Sequence, residues 1–193
     1  MSGIRQPGPG WTAQPDDMDT HADTHAMLGT AYEIRAIAPE VVTELRHRDD
    51  AGRTPRHVTH DAGGSPLRCC LKRSEPGETI TLVSYAPLRR WARETGADPG
   101  AYDEVGPVFI HPHDCGGWDG DPAGGFPEAI SGGDRVLRMY AAEGHILGGE
   151  LLTSPAASGI DKALAGLYAD PLVAAVHVRA VDFGCFHLET RRR

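Results

Sequence analysis

The sequence predicts an α+β fold: a single domain built on a mainly antiparallel sheet, with a few helices packed on one face. Three observations carry this expectation. Most apolar segments are short runs of strand length, two pairs of them flank turn signals, and one segment repeats apolar residues at helical spacing. At 193 residues the chain is long enough for one core and short for two.

Ala31 to Ala38 reads as the first strand, and Pro39 suits the opening position of a short helix through Val41, Val42 and Leu45. Residues 49 to 66 are polar and turn-rich. Leu67 to Lys72 and Glu78 to Ala86 flank Glu75-Pro76-Gly77, which predicts a hairpin. Arg89 to Glu94 reads as a solvated helical turn, and Val105 to His111 as the next strand. Residues 112 to 133 place Pro112, Pro122 and Pro127 among many glycines; a loop of roughly 20 residues without a period is either functional or disordered. Arg135 to Ala142 and His145 to Thr153 form a second hairpin across Glu143-Gly144. Ser158 to Ala169 is the clearest helix, with Ile160, Ala163, Leu164, Leu167 and Tyr168 in phase, Ser158 as its cap and Asp170-Pro171 as its stop. Leu172 to Val181 and Phe186 to Thr190 close the chain as strands.

Residues 1 to 27 carry Asp16, Asp17, Asp19 and Asp23 with scattered Pro and Gly and almost no aliphatic side chain, so they read as a disordered acidic tail ahead of a domain over 28 to 193. The formal charge is −8 and no basic stripe exists, which argues against nucleic acid as a partner. No apolar run is long enough for a membrane span and no cationic-then-apolar leader opens the chain, so a cytoplasmic protein with Cys69, Cys70, Cys115 and Cys185 as thiols is expected. Loop 116 to 133 lacks a phosphate-binding GxxxxGK[ST] pattern.

The run from Gly106 to Gly117 holds the densest chemistry. Continued as a strand, it places Phe109, His111, His113 and Cys115 on one side. The order Arg68-Cys69-Cys70-Leu71, Glu75-Pro76-Gly77-Glu78, Gly106 to His111 with Cys115, Arg138-Met139-Tyr140, Tyr168 to Pro171 and His177-Val178-Arg179 through Gly184-Cys185-Phe186 resembles the bacterial family of unknown function numbered 1203. That resemblance spans roughly residues 31 to 190 and implies no reaction.

Several chemistries compete at these residues. His111, His113 and Cys115, joined by Cys185 and His187, form a donor set for zinc or copper, although no recognised motif requires a cofactor. Asp114 and Asp119 suit a hard cation less well. Cys115 before Gly116-Gly117 also suits a nucleophile, with His111 as acid/base and Tyr140 assisting. Arg68, Arg138, His177 and Arg179 suit an anchor for a carboxylate or phosphate, against the alternative of an ordinary solvated sheet face. The function expected is therefore a small-molecule enzyme or enzyme-like binder of a small anionic or polar metabolite, with a metal-binding protein and a non-catalytic module that homodimerises through a sheet edge as alternatives.

Overall fold

A computed structural model describes residues 30–193; the expected tail over 1 to 27 lies outside the described residues. In chain order the elements are β1 (Tyr32–Arg35), α1 (Pro39–His47), β2 (Arg56–His60), β3 (Pro66–Leu67), β4 (Lys72–Arg73), β5 (Glu78–Tyr85), α2 (Pro87–Thr95), β6 (Gly106–Ile110), β7 (Arg135–Tyr140), β8 (Ile146–Leu152), α3 (Ala157–Leu167), β9 (Ala175–Ala180) and β10 (Phe186–Arg192). The α+β class is the one expected, but the strands divide into two five-stranded sheets, β1-β10-β9-β7-β8 and β2-β5-β6-β3-β4. All pairings are antiparallel except β3 beside β6.

Each helix follows from a local stripe. In α1, Pro39 opens the first turn, Val42 and Leu45 face inward, and Arg46 and His47 occupy the last turn, where cations suit the helix dipole. α2 likewise begins at Pro87, buries Leu88 and Trp91, and ends at Gly96 in the left-handed conformation. It is thus a packed helix and not a solvated turn. α3 buries Ile160 and Leu164 one turn apart. Ser158 lies inside it and caps nothing, because the chain enters through Ala156 in extended geometry.

Three apolar clusters result. α3 packs on one face of the first sheet with Leu137, Val176, Val178 and Leu188, and Tyr32 stacks on Tyr168 at 5.3 Å. α1 packs on the second sheet with Ile80, Val83, Val108, Ile110, Cys69 and Cys70. Leu88 and Trp91 of α2 meet Tyr140 and Ala175 of the first sheet. Phe186 of β10 belongs to the second cluster and touches Tyr85 at 5.4 Å, so it stitches one sheet to the other.

Two local expectations are corrected. Leu67 to Lys72 is not one strand paired with β5: residues 68 to 71 turn, Leu71 takes φ +54°, and β4 folds back on β3. β5 instead lies between β2 and β6. β2 itself went unseen because an edge strand exposed on both faces shows no apolar alternation; only Val58 is half-buried. The long loop over 112 to 133 is irregular yet anchored, with Phe126 and Ile130 buried under α3 and a single 3-10 turn at Glu128–Ile130. Asp161 of α3 accepts the Phe126 N–H and the Tyr32 hydroxyl, each at 2.8 Å.

Leu164 is wholly buried, so Leu164→Ala should lower stability by about 2–5 kcal/mol, read as a shift in urea midpoint. Burial, with the guanidinia of Arg68, Arg135 and Arg73, pushes His187 down to about 2. The unfolded chain protonates histidine near pH ~6.5, so this contribution is complete above that pH and is lost as the pH falls toward 2. Urea midpoints should decline below pH ~6.5, and less steeply in His187→Gln.

Candidate functional site

Parallel strands end at the same place, and this brings the site together. β3 runs beside β6 with Leu67 opposite Phe109, and the Arg68 N–H donates to the Phe109 carbonyl at 2.9 Å. The turn carrying Cys69 and Cys70 therefore emerges next to His111, the first residue after β6. His111 Nδ1 lies 3.3 Å from Cys69 Sγ and 3.7 Å from Cys70 Sγ, and the His111 N–H donates to Cys69 Sγ at 3.3 Å. Cys115 completes a group of four donor atoms that all lie within 4.8 Å of one another. Cys69 and Cys70 are buried, while His111 and Cys115 are half-buried.

The surroundings hold this group in place. The second nitrogen of His111, Nε2, sits 3.0 Å from Glu78 Oε1, so the imidazole is oriented from behind by a carboxylate. Arg46 of α1 donates Nε to the His111 carbonyl at 3.1 Å and a second N–H to the His113 carbonyl. Gly116 and Gly117 both take φ near the left-handed region, at +78° and +77°, which turns the chain after Cys115 back toward Pro39. A cleft of about 10 Å³, bordered by Arg46, Cys69, Asp114 and Cys115, opens onto the sulfurs. Hydrogen bonds from the Cys69 thiol and then the Lys72 N–H push Cys70 down to about 6, whereas bonding to Cys70 and burial push Cys69 up.

Of the sequence-predicted donors, His111 and Cys115 are in the group. His113 is exposed, its ring 5.3 Å from that of His111, and it is not one of the four. Cys185 and His187 are likewise outside it. Cys69, Cys70 and Glu78 were missed: two adjacent cysteines in a strand point to opposite faces, and only the turn lets both face one histidine.

Of the remaining predicted residues, Arg138, Tyr140, His177 and Arg179 form a separate cluster on the face of the first sheet turned away from α3. Arg138 donates to Glu104 Oε1 at 3.0 Å, and Arg179 pairs with that same oxygen while also donating to the Gly184 carbonyl at 3.0 and 2.7 Å. Tyr140 packs on His177 with ring centroids 4.5 Å apart, and its buried hydroxyl has no protein partner. His177 is fully buried; burial pushes it below its ordinary value, and its Nε2 lies 3.1 Å from Glu189 Oε2. Against the upward push of burial, hydrogen bonds from His177 and Arg191 hold Glu189 below the usual carboxylate range. The pair is a neutral imidazole donating to a carboxylate. Arg68 is buried and bonds the carbonyls of Phe186, at 2.7 Å, and Pro66, and burial lowers it to about 10. These cations already have partners, so they do not converge with His111 and Cys115 on one anion seat.

The family model described as protein of unknown function, DUF1203, matches residues 64–192 and so covers all four donors and Glu78. No curated protein and no solved structure matches the chain. Among the described residues no helix is long and apolar enough to cross a membrane. In chelator-treated protein a thiol reagent should modify half-exposed Cys115 and Cys185 quickly, and buried Cys69 and Cys70 only through opening of the fold, as mapped by peptide mass spectrometry.

Proposed function

The chain belongs to the DUF1203 family, described only as being of unknown function, and we propose from the geometry that it binds a soft metal ion, zinc ahead of copper(I), through Cys69, Cys70, His111 and Cys115. The observation that carries this reading is the convergence of three sulfurs and one imidazole nitrogen on a common centre, with the other imidazole nitrogen held by Glu78. With metal–sulfur bonds of ~2.3 Å, the edge of a tetrahedron is about 3.8 Å. The His111 separations of 3.3 and 3.7 Å need little adjustment to reach it. Cys₃His is a donor set of structural zinc, and the backbone N–H groups of His111 and Lys72 donate to the Cys69 and Cys70 sulfurs, the kind of outer contact that thiolate ligands use.

Four protein ligands leave no open coordination position, so the ion would stabilise and not catalyse. It would cross-link the β3–β4 turn, the end of β6 and the start of the long loop. Three cysteine ligands stay reduced in a reducing compartment, which supports a cytoplasmic location under this reading.

A second reading keeps His111 and Cys115 as the acid/base and nucleophile of an enzyme acting on a small polar metabolite. Its support is the half-exposed Cys115 on a cleft edge beside Arg46. It ranks second because the Gly116 N–H is donated to Asp114 at 3.0 Å and so is not free for an oxyanion, and because both nitrogens of His111 are engaged. Arg138, the expected anchor, belongs to the other cluster.

Elemental analysis of protein purified with zinc present should find one ion per chain, lost in His111→Ala and Cys115→Ser and kept in Cys185→Ser. Zinc at a thousandfold excess over its Kd should stabilise the fold by about 4 kcal/mol, visible as a raised Tm. Substoichiometric metal with an unmoved Tm overturns the proposal, and a Cys115 that then labels faster than an unfolded control favours the second reading.

A further inference from the structure

A second cavity differs in character from the cleft at the sulfurs. It has a volume of about 90 Å³ and lies between α2, the end of β1 and β10. Tyr85, Trp91 and Phe186 give it an aromatic wall, and Ala36, Ala38 and Val41 add aliphatic surface. Its polar lining is Arg35 and Arg191 on adjacent strands, with Arg90, Glu94 and Glu189. Arg35 reaches Glu94 Oε1 at 3.3 Å, and Arg191 reaches Glu94 Oε2 at 2.8 Å, so two guanidinia hold the two oxygens of one carboxylate.

Glu94 is the odd member of this arrangement. Arg35 already has Glu33, and Arg191 already has Glu189 with His177 behind it. Glu94 is therefore a third carboxylate shared between two cations that each have one. It sits in the last turn of α2, where a negative charge opposes the helix dipole, so the helix itself gives no reason for it. Its side chain is 54% exposed, against 15% for Arg191 and 7% for Glu189. The most solvent-facing partner is the glutamate, which lies over a half-buried Arg35 and a largely buried Arg191.

We propose that Arg35 and Arg191 form a carboxylate clamp for a short aliphatic carboxylic acid, and that Glu94 occupies it in the free protein as an internal stand-in. The charge at the clamp selects an acid headgroup, because fork-shaped guanidinia match a carboxylate. The cavity volume is well below the ~150 Å³ that admits benzene, so the body is a few aliphatic carbons and not a ring. A tethered competitor at high effective concentration weakens any free acid in the parent protein.

The test uses the full chain and sodium propionate, read by the Trp91 indole N–H resonance, which is identified by its loss in Trp91→Phe. Propionate should shift that resonance saturably, and Glu94→Gln should bind it about tenfold more tightly than the parent. Propionamide, which has the same shape without the charge, should not bind. Arg35→Gln, made on the Glu94→Gln background, should remove the gain while leaving the melting temperature close to that background. Equal affinity in parent and Glu94→Gln, equal binding of propionamide, or binding of tetramethylammonium in place of propionate each overturns the proposal. None of these outcomes bears on the metal content at Cys69, Cys70, His111 and Cys115.

Discussion

Arg68 ties the two sheets and the entry to α1 together. Its N–H bonds the Phe109 carbonyl of β6, its carbonyl accepts the Ile37 N–H between β1 and α1 at 3.1 Å, and its Nε bonds the Phe186 carbonyl of β10. One residue thus joins both sheets and the entry to the first helix. A buried guanidinium is tolerated only when its N–H groups find acceptors, and here the named acceptors are backbone carbonyls, not an acid. That choice fixes where the next two residues go. Cys69 and Cys70 leave Arg68 in a turn that has nowhere to point except toward His111.

The two sheets divide the chemistry as they divide the core. The second sheet gathers sulfur and imidazole at the end of its one parallel pair. The first sheet gathers charge on the face away from α3, where Glu104, Glu189, His177, Arg138, Arg179 and Arg191 neutralise one another. Burying such groups is costly unless they are paired, which is why nearly every one is met by an opposite charge or a carbonyl. Among the described residues the buried side-chain atoms without a protein partner are Tyr140 Oη, Nδ1 of His177 and His187, Asp103 Oδ1 and Arg135 Nε. The last two belong to charged groups whose other atoms are bonded, Asp103 Oδ2 by Arg89 and the terminal nitrogens of Arg135 to the carbonyls of Asp134 and Ile130.

Much of the fold was legible in the residues. Pro39 and the Val42/Leu45 pair placed α1, the Ile160/Leu164 spacing placed α3, and the two runs across Glu143-Gly144 placed the β7–β8 hairpin, though not its register shift between Met139 and Tyr140. Half of the site was legible too, because His111 and Cys115 lie in a strand-to-loop run whose composition is unusual. The partners were not. Glu75-Pro76-Gly77 is a turn, with the Glu78 N–H bonding the Glu75 carbonyl, but it delivers the chain to β2 and β6 instead of back onto residues 67 to 72. Turn chemistry reports a change of direction and carries no information about which strand is met next.

Local spacing therefore determined the α+β class, α1 with its opening proline, α3 with its one-turn stripe, the tight hairpin, and the neighbourhood of His111. Those features depend on forces that act within a few residues. Tertiary structure alone decided that the strands form two sheets, that Cys69 and Cys70 join His111 where His113 does not, that Glu78 orients the imidazole, and that Glu104 claims Arg138 and Arg179. Each of these joins residues that are far apart in the chain: within the four-donor group every pair except His111 with Cys115 and Cys69 with Cys70 is separated by 41 residues or more. Hydrogen bonding between non-local strands sets them, and a single sequence leaves no local trace of it.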